Sequence, residues 1–336
     1  MRKSRVLLKY NRTDISDTIT DLLESFDWTD VASGEADTIS LVLNDRDMMW
    51  VKKGFIPASK DYIKVWIRVN NWKYDGDIRK TYCGKFQVDS FTASGFPNIF
   101  TVEGICLPIN KSFNVTQRNK TFKKTSVKSL LQDTAKRAGM KLIYDAPDHK
   151  IDEISQSGQT DMEFAFSVCN DYGVSMKVYN GKLVAYDQTR YEKRKARYTI
   201  KRSDLGGNDA YNIQRNITTM YDGVKMQYSN KDKKTVTYKY VIPKKKGKRL
   251  LVISGSADSH ADAEKKAKAQ LLKSLREVQT ITLMVMGDPK YKACHTFMLE
   301  GFGRLNGKYF IDKVVHSKSG GYTCTITAHK VVTQIG

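Results

Sequence analysis

Polar and apolar positions alternate with a period of two through most of the first third of the chain. Thr38-Ile39-Ser40-Leu41-Val42-Leu43 is rich in β-branched residues and mostly alternates. Tyr62 to Val69 repeats the pattern and ends at a turn-like Asn70-Asn71. Lys85 to Val88 and Ile99 to Val102 flank Ser94-Gly95-Phe96-Pro97-Asn98, a run of turn formers. Many short strands with frequent turns predict a small β-barrel or sandwich over residues 1–110.

Beyond Lys111 the period changes. Val127, Leu130, Leu131, Thr134, Ala135 and Ala138 line one helical face, and Gly139 suits the left-handed position that closes a helix. Met140 to Tyr144 reads as a strand. A second helix opens at Thr160-Asp161-Met162-Glu163, where Thr160 and Glu163 can cap each other's free amides. Gly173 stops it. Val174 to Val178 and Lys182 to Tyr186 then flank Asn180-Gly181, a strong hairpin signal. Residues 111–204 are thus expected to form a small α+β domain. From Leu205 onward strands return, interrupted by a helix over 259–277 with Ala267, Leu271, Leu275 and Val278 on its apolar face. The expected helices are 126–138, 161–172 and 259–277.

The two β-rich ends resemble each other. Thr38 to Asp45 matches Thr280 to Asp288, and Gly84-Lys85-Phe86-Gln87-Val88-Asp89 matches Gly307-Lys308-Tyr309-Phe310-Ile311-Asp312. Each second match is followed by a Ser/Gly turn and an alternating strand, Phe100 to Glu103 in front and Tyr322 to Thr325 behind. The front copy carries extra residues between its first and second match. Duplication would let one chain present two similar barrels, and three chains would present six, enough to imitate a six-fold ring.

Composition adds mostly exclusions. The 336 residues are 40% hydrophobic and 28% charged, as in ordinary globular proteins. No apolar run approaches the ~20 residues a membrane span needs, and the basic N-terminus lacks the apolar stretch of a secretory signal. Five dispersed cysteines (Cys83, Cys106, Cys169, Cys294, Cys324) read as reduced core thiols. His149, His260, His295, His316 and His329 do not supply zinc-site spacing.

No catalytic pattern survives. Gly301-Phe302-Gly303 with Gly307 lies between strand-like runs, so it lacks the helix that a dinucleotide fingerprint needs. There is no phosphate loop and no nucleophile elbow. Carboxylates such as Asp14, Asp17, Asp21, Glu24, Glu35 and Asp37 are expected in turns and on solvated surface. No cofactor is expected.

The loudest bulk feature is a formal net charge of +21, which favours an acidic partner of some kind. Basic runs occupy Arg190 to Arg197, Lys231 to Lys234, Lys244 to Arg249 and the third helix. Lys244-Lys245-Lys246-Gly247-Lys248-Arg249 lies between strand-like Thr235 to Ile242 and Leu250 to Ile253. This predicts a protruding cationic hairpin tip, with Lys244, Lys245, Lys246, Lys248 and Arg249 as candidate contacts to an acidic protein surface. Aromatic interleaving of the kind that stacks single-stranded bases is absent there.

An ordered set of short motifs runs along the whole chain. It comprises Ser33 to Asp37 with the strand to Asn44-Asp45-Arg46-Asp47, Gly54-Phe55-Ile56-Pro57, Cys83 to Asp89, and Pro97-Asn98. Gln156-Ser157 follows, then Leu299-Glu300-Gly301-Phe302-Gly303 leading to Gly307 to Ile311. This set resembles the late control protein D family, the baseplate hub proteins of contractile phage tails. The resemblance implies an α+β, mainly β fold. Two similar tube-type small β-barrels, 1–110 and 205–336, would enclose the α+β domain 111–204, with helix 259–277 inserted in the second barrel. It also implies a homotrimer that joins a hexameric tail tube to a trimeric central spike, among other baseplate proteins. Such a protein would be assembled in the host bacterial cytoplasm and end in a virion or a bacteriocin-like particle. It would have no catalysis, no cofactor and no membrane partner. The charge motivates an alternative, a nucleic-acid-binding protein built on small β-barrels, which steeply salt-dependent DNA binding would mark. A cell-wall hydrolase of a tail tip would need a catalytic cluster that the sequence does not supply.

Overall fold

The computed structural model describes residues 1–333 apart from 53–55, 59, 109–110, 207–209 and 230–233. The expected motif Gly54-Phe55 and the basic residues Lys231 to Lys233 therefore lie outside the described residues.

The front module runs β1 (Lys3–Tyr10), β2 (Thr13–Asp14), α1 (Ser16–Thr20), β3 (Leu23–Val31), β4 (Thr38–Asn44), α2 (Met49–Lys52), β5 (Tyr62–Asn70), β6 (Ile78–Ser94) and β7 (Ile99–Ile105). Alternation does what the sequence requires: in β4 the side chains of Ile39, Leu41 and Leu43 are buried and those between them are not. The middle unit follows with α3 (Lys111–Asn114), β8 (Gln117–Ser126), α4 (Val127–Arg137), β9 (Lys141–Asp145), β10 (Lys150–Thr160), α5 (Asp161–Asp171), β11 (Ser175–Tyr179), β12 (Lys182–Tyr186) and α6 (Gln188–Lys193). The back module comprises β13 (Tyr198–Lys201), β14 (Tyr211–Arg215), β15 (Gly223–Ser229), β16 (Thr235–Val241), β17 (Leu250–Ser256), α7 (His260–Arg276), β18 (Gln279–Met286), β19 (Thr296–Glu300), β20 (Gly307–Ser319) and β21 (Gly321–Lys330).

Three of these helices are the expected ones. Ser126 caps α4 by accepting from the Ser129 amide, and Ser259 caps α7 by accepting from Asp262. The box at α5 is complete, with Thr160 accepting from the Glu163 amide and the Glu163 carboxylate accepting from Thr160. Asn180 and Gly181 both take positive φ (49° and 69°), the conformation a tight β11–β12 hairpin demands.

The fold is mainly β, with several sheets, as expected. Its largest sheet has 13 strands, ordered β14-β18-β21-β20-β3-β4-β7-β6-β5-β1-β2, with β19 beside β20 and β13 beside β19. Strands of both modules therefore share one sheet, open at its ends among the described residues, and one core runs from Val6 and Trp28 to Ile326 and Ala328. The middle unit packs its own core around Leu131, Phe164 and Leu183. A third small core lies between α7 and the sheet β16-β15-β17, inserted between β14 and β18.

Candidate assembly interface

The duplication read in the sequence is present strand for strand. β1, β3, β4, β5, β6 and β7 correspond in chain order to β13, β14, β18, β19, β20 and β21. The pairs β3·β4, β4·β7, β7·β6 and β6·β5 have counterparts β14·β18, β18·β21, β21·β20 and β20·β19, all antiparallel. Registers coincide as well: Leu41 faces Val102 as Leu283 faces Ile326, and Phe86 faces Ile63 as Tyr309 faces Phe297. β6 and β20 each break register at the matched aspartate, between Val88 and Ser90 and between Ile311 and Lys313. Gly84 and Gly307 both take large positive φ (152° and 140°). The modules differ at one end, where β1 meets β5 antiparallel but β13 meets β19 parallel.

A junction joins the two modules inside the chain. Past its bulge, β20 leaves β19 and pairs with β3, Lys313 facing Val31 and Lys318 facing Phe26. At its centre Trp28 faces His316. The Ser317 hydroxyl donates to Asp27 at 2.5 Å. Burial holds the His316 imidazole down at about 4, so it is neutral. Its Nε2 donates to the Tyr291 carbonyl at 3.0 Å, and its Nδ1 accepts from Tyr322 Oη at 2.7 Å. The Cys324 thiol lies 3.1 Å from the same Nδ1. Burial pushes that thiol up to about 12, so this Cys–His pair carries no thiolate nucleophile.

The middle unit pins the junction. Lys177, on β11, donates to Asp30 (3.0 Å), Asp37 (3.1 Å) and the Val31 carbonyl (2.6 Å), all buried. Asp30 also accepts from the Ala293 amide at 2.9 Å, so one carboxylate touches all three parts of the chain. Burial lifts the Asp37 carboxyl to about 7 against the pull of Lys177. The same burial opposes the Lys177 charge, yet Asp30 and Asp37 hold that amine above its ordinary value. On the far side, His329 lies between Asp312 (2.8 Å) and Glu192 (3.1 Å), and Glu192 also accepts from Arg276 at 2.7 Å. Burial works against protonation there, but the two carboxylates raise His329 to about 9.

The basic run Lys244 to Arg249 is exposed but does not form a hairpin tip. β16 and β17 do not pair; both flank β15, one antiparallel and one parallel. The run is therefore a crossover past the start of β15, and its Lys248 and Arg249 amides are held by Asp222. Lys245, Lys248 and Arg249 meet Arg215, Arg304 and Lys330 around an open cleft of about 570 Å³. Lys244 and Lys246 do not line it. Sequence reasoning missed Arg215, Arg304 and Lys330 because each is an isolated cation in its own strand or turn. It also missed Lys177, which alternates with Met176 and Val178 and so reads as solvent-facing.

Among the described residues no group of three His, Cys, Asp or Glu side chains could hold a metal ion, and no helix is long and apolar enough to cross a membrane. What the fold defines is a repeated β module with a strand junction between the repeats.

Comparison with known proteins agrees. No family model matches the chain. Probable baseplate hub proteins of Escherichia phages 186 and P2 are 26% and 27% identical over 182 and 205 residues, which is 53% and 59% of this chain. Those matches cover 43% and 50% of the relatives, so the chain spans about half the length of the curated relatives it matches. A tail protein from Neisseria meningitidis has the same fold, with a TM-score of 0.72 at 14% identity over 97% of this chain and 96% of that one. An Escherichia coli component of the type VI secretion system, itself described as similar to two T4 tail proteins, superimposes with a TM-score of 0.60 at 11% identity. That match covers 99% of this chain and 78% of the other. The chain is thus similar in sequence to probable baseplate hub proteins of two phages, and it shares its fold with a tail protein and a type VI secretion component.

Proposed function

We propose that this chain forms a homotrimeric baseplate hub, a ring in which the two modules of each copy alternate as a pseudo-hexamer between a six-fold tail tube and a three-fold central spike. The observation that carries the reading is the strand-for-strand repeat of the module within one chain. Six near-equivalent modules from three copies present a six-fold surface on one side. The unequal parts, above all the β15–β17 and α7 insertion, leave three-fold features elsewhere. In this reading residues 1–110 and 205–336 are the tube-facing barrels, the second joined by β13 (Tyr198–Lys201), and the rest of 111–204 is a bracket between them. The particle is assembled in the host cytoplasm. The cationic residues Lys244, Lys245, Lys246, Lys248 and Arg249 meet an acidic surface on a neighbouring tail protein. Quantifying this chain against the tube protein in purified particles tests the reading. Three copies per baseplate are expected; six copies would overturn it.

A further inference from the structure

The in-chain junction has an unfilled counterpart at each end of the molecule. β20 pairs with β3 over Lys313–Lys318. By the matched registers, the equivalent stretch of β6 is Ser90–Gly95 and the equivalent of β3 is Tyr211–Asn216. Among the described residues, β6 beyond Asp89 pairs only with β7, and β14 pairs only with β18. Both edges are therefore open. Exposure follows the same logic. Phe26, Trp28, Val314 and His316 at the filled junction are at most 2% exposed, whereas Tyr211 and Phe91 at the open edges are 43% and 39% exposed.

We propose that the Ser90–Ser94 edge of one copy receives the Asn212–Asn216 edge of a second copy, antiparallel, repeating between chains the junction that β3 and β20 make within one. The occupant is set by the duplication itself: the surface that fits each edge is already displayed in the same chain, at the other end. Transferring the in-chain register gives Phe91 opposite Arg215, Thr92 opposite Gln214, Ala93 opposite Ile213 and Ser94 opposite Asn212. The chemistry carries over. Ser94 and Asn212 replace the hydrogen-bonded Ser317 and Asp27, and Phe91 meets a guanidinium, a favourable aromatic–cation pairing. A one-residue slip would turn Ile213 and Ala93 away from the core, so the register is specified. The junction between copies is also the smaller one, since Ala93 and Ile213 stand where His316 and Trp28 stack. Association is accordingly weaker than the in-chain contact and concentration-dependent. Open strand edges of this kind favour pairing once a partner arrives.

This inference rests on the ring reading but adds a contact that the ring alone does not fix. The full chain carrying Thr92→Cys with Gln214→Cys is concentrated and oxidised, beside two controls. Thr29→Cys with Val315→Cys tests the same geometry inside one chain, and Thr92→Cys with Ile213→Cys tests the slipped register. Directly opposed cysteines of an antiparallel pair lie close enough to bridge. The expected result is disulfide-linked oligomers ending at the trimer for the first pair, an internal bridge for the second, and at least tenfold less product for the third. An internal bridge without intermolecular adduct, or equal reaction of the slipped pair, overturns the proposed edge. Native mass measurement of the same samples separates the causes: trimers without the adduct overturn the edge alone, and monomers at every concentration overturn the ring as well.

Discussion

Trp28 on β3 and His316 on β20 stack across the junction between the two modules, with ring centroids 4.5 Å apart and planes 15° from parallel. They meet at the place where front and back of the chain become one sheet. Removing the indole leaves a cavity shared by both modules. Trp28→Ala should destabilise the chain by about 3–5 kcal/mol, and Trp28→Phe by clearly less. Denaturant unfolding followed by far-ultraviolet circular dichroism checks this; equal small losses for both variants would mean the junction does not hold the modules together.

Lys177 makes a second prediction. Truncating it to Met strands Asp30 and Asp37 in a buried site. Breaking a buried ion pair from one side costs about 3–5 kcal/mol. Part of that loss should be recovered at acid pH, because Asp37 already stands near 7 and can protonate. An unfolding midpoint for Lys177→Met that is unchanged from the parent would show that the bracket does not depend on this cation.

His329 gives the alkaline limb of stability. Its folded value near 9 lies above the ordinary 6.5, so it binds its proton more tightly in the folded chain. The stabilisation is fully present below about 6.5 and is lost as pH rises through about 9. Its size is on the order of 3 kcal/mol. The unfolding midpoint of the parent should fall across this window, while His329→Gln starts lower and stays flatter. Parallel curves would remove the histidine from the account.

Much of this was legible because its causes are local. The capping box at Thr160 and Glu163, the Asn180-Gly181 turn and the alternation of Thr38–Leu43 each depend on neighbours in sequence. The repeat was visible where both copies keep the glycine, lysine and aspartate around an apolar strand, at Gly84–Asp89 and Gly307–Asp312. It was not visible in β3 and β14, because Phe26 and Trp28 in one correspond to Tyr211 and Ile213 in the other. The junction pairs Asp27 with Ser317, 290 residues apart, and nothing local announces it. The basic run was misplaced for a related reason. Strands adjacent in sequence usually form a hairpin, but here β15, which precedes both, sits between them.

Neutralising Lys244, Lys245, Lys246, Lys248 and Arg249 to Gln should leave the unfolding free energy within about 0.5 kcal/mol of the parent, since the side chains are exposed and, among the described residues, only Arg249 bonds a backbone carbonyl, that of Ile217. Assembly into particles should slow and become less sensitive to salt. A salt series in which assembly rates of variant and parent coincide would return the run to solvated surface.

The central claim is that one chain supplies two interchangeable positions in a ring. An electron-microscopic reconstruction of the particle, with this chain traced in its baseplate, tests that most directly. The account predicts three copies whose front and back modules alternate around a single channel, β6 of each copy beside β14 of the next. Six copies contributing one module each, or three copies with the back modules outside the ring, would contradict it.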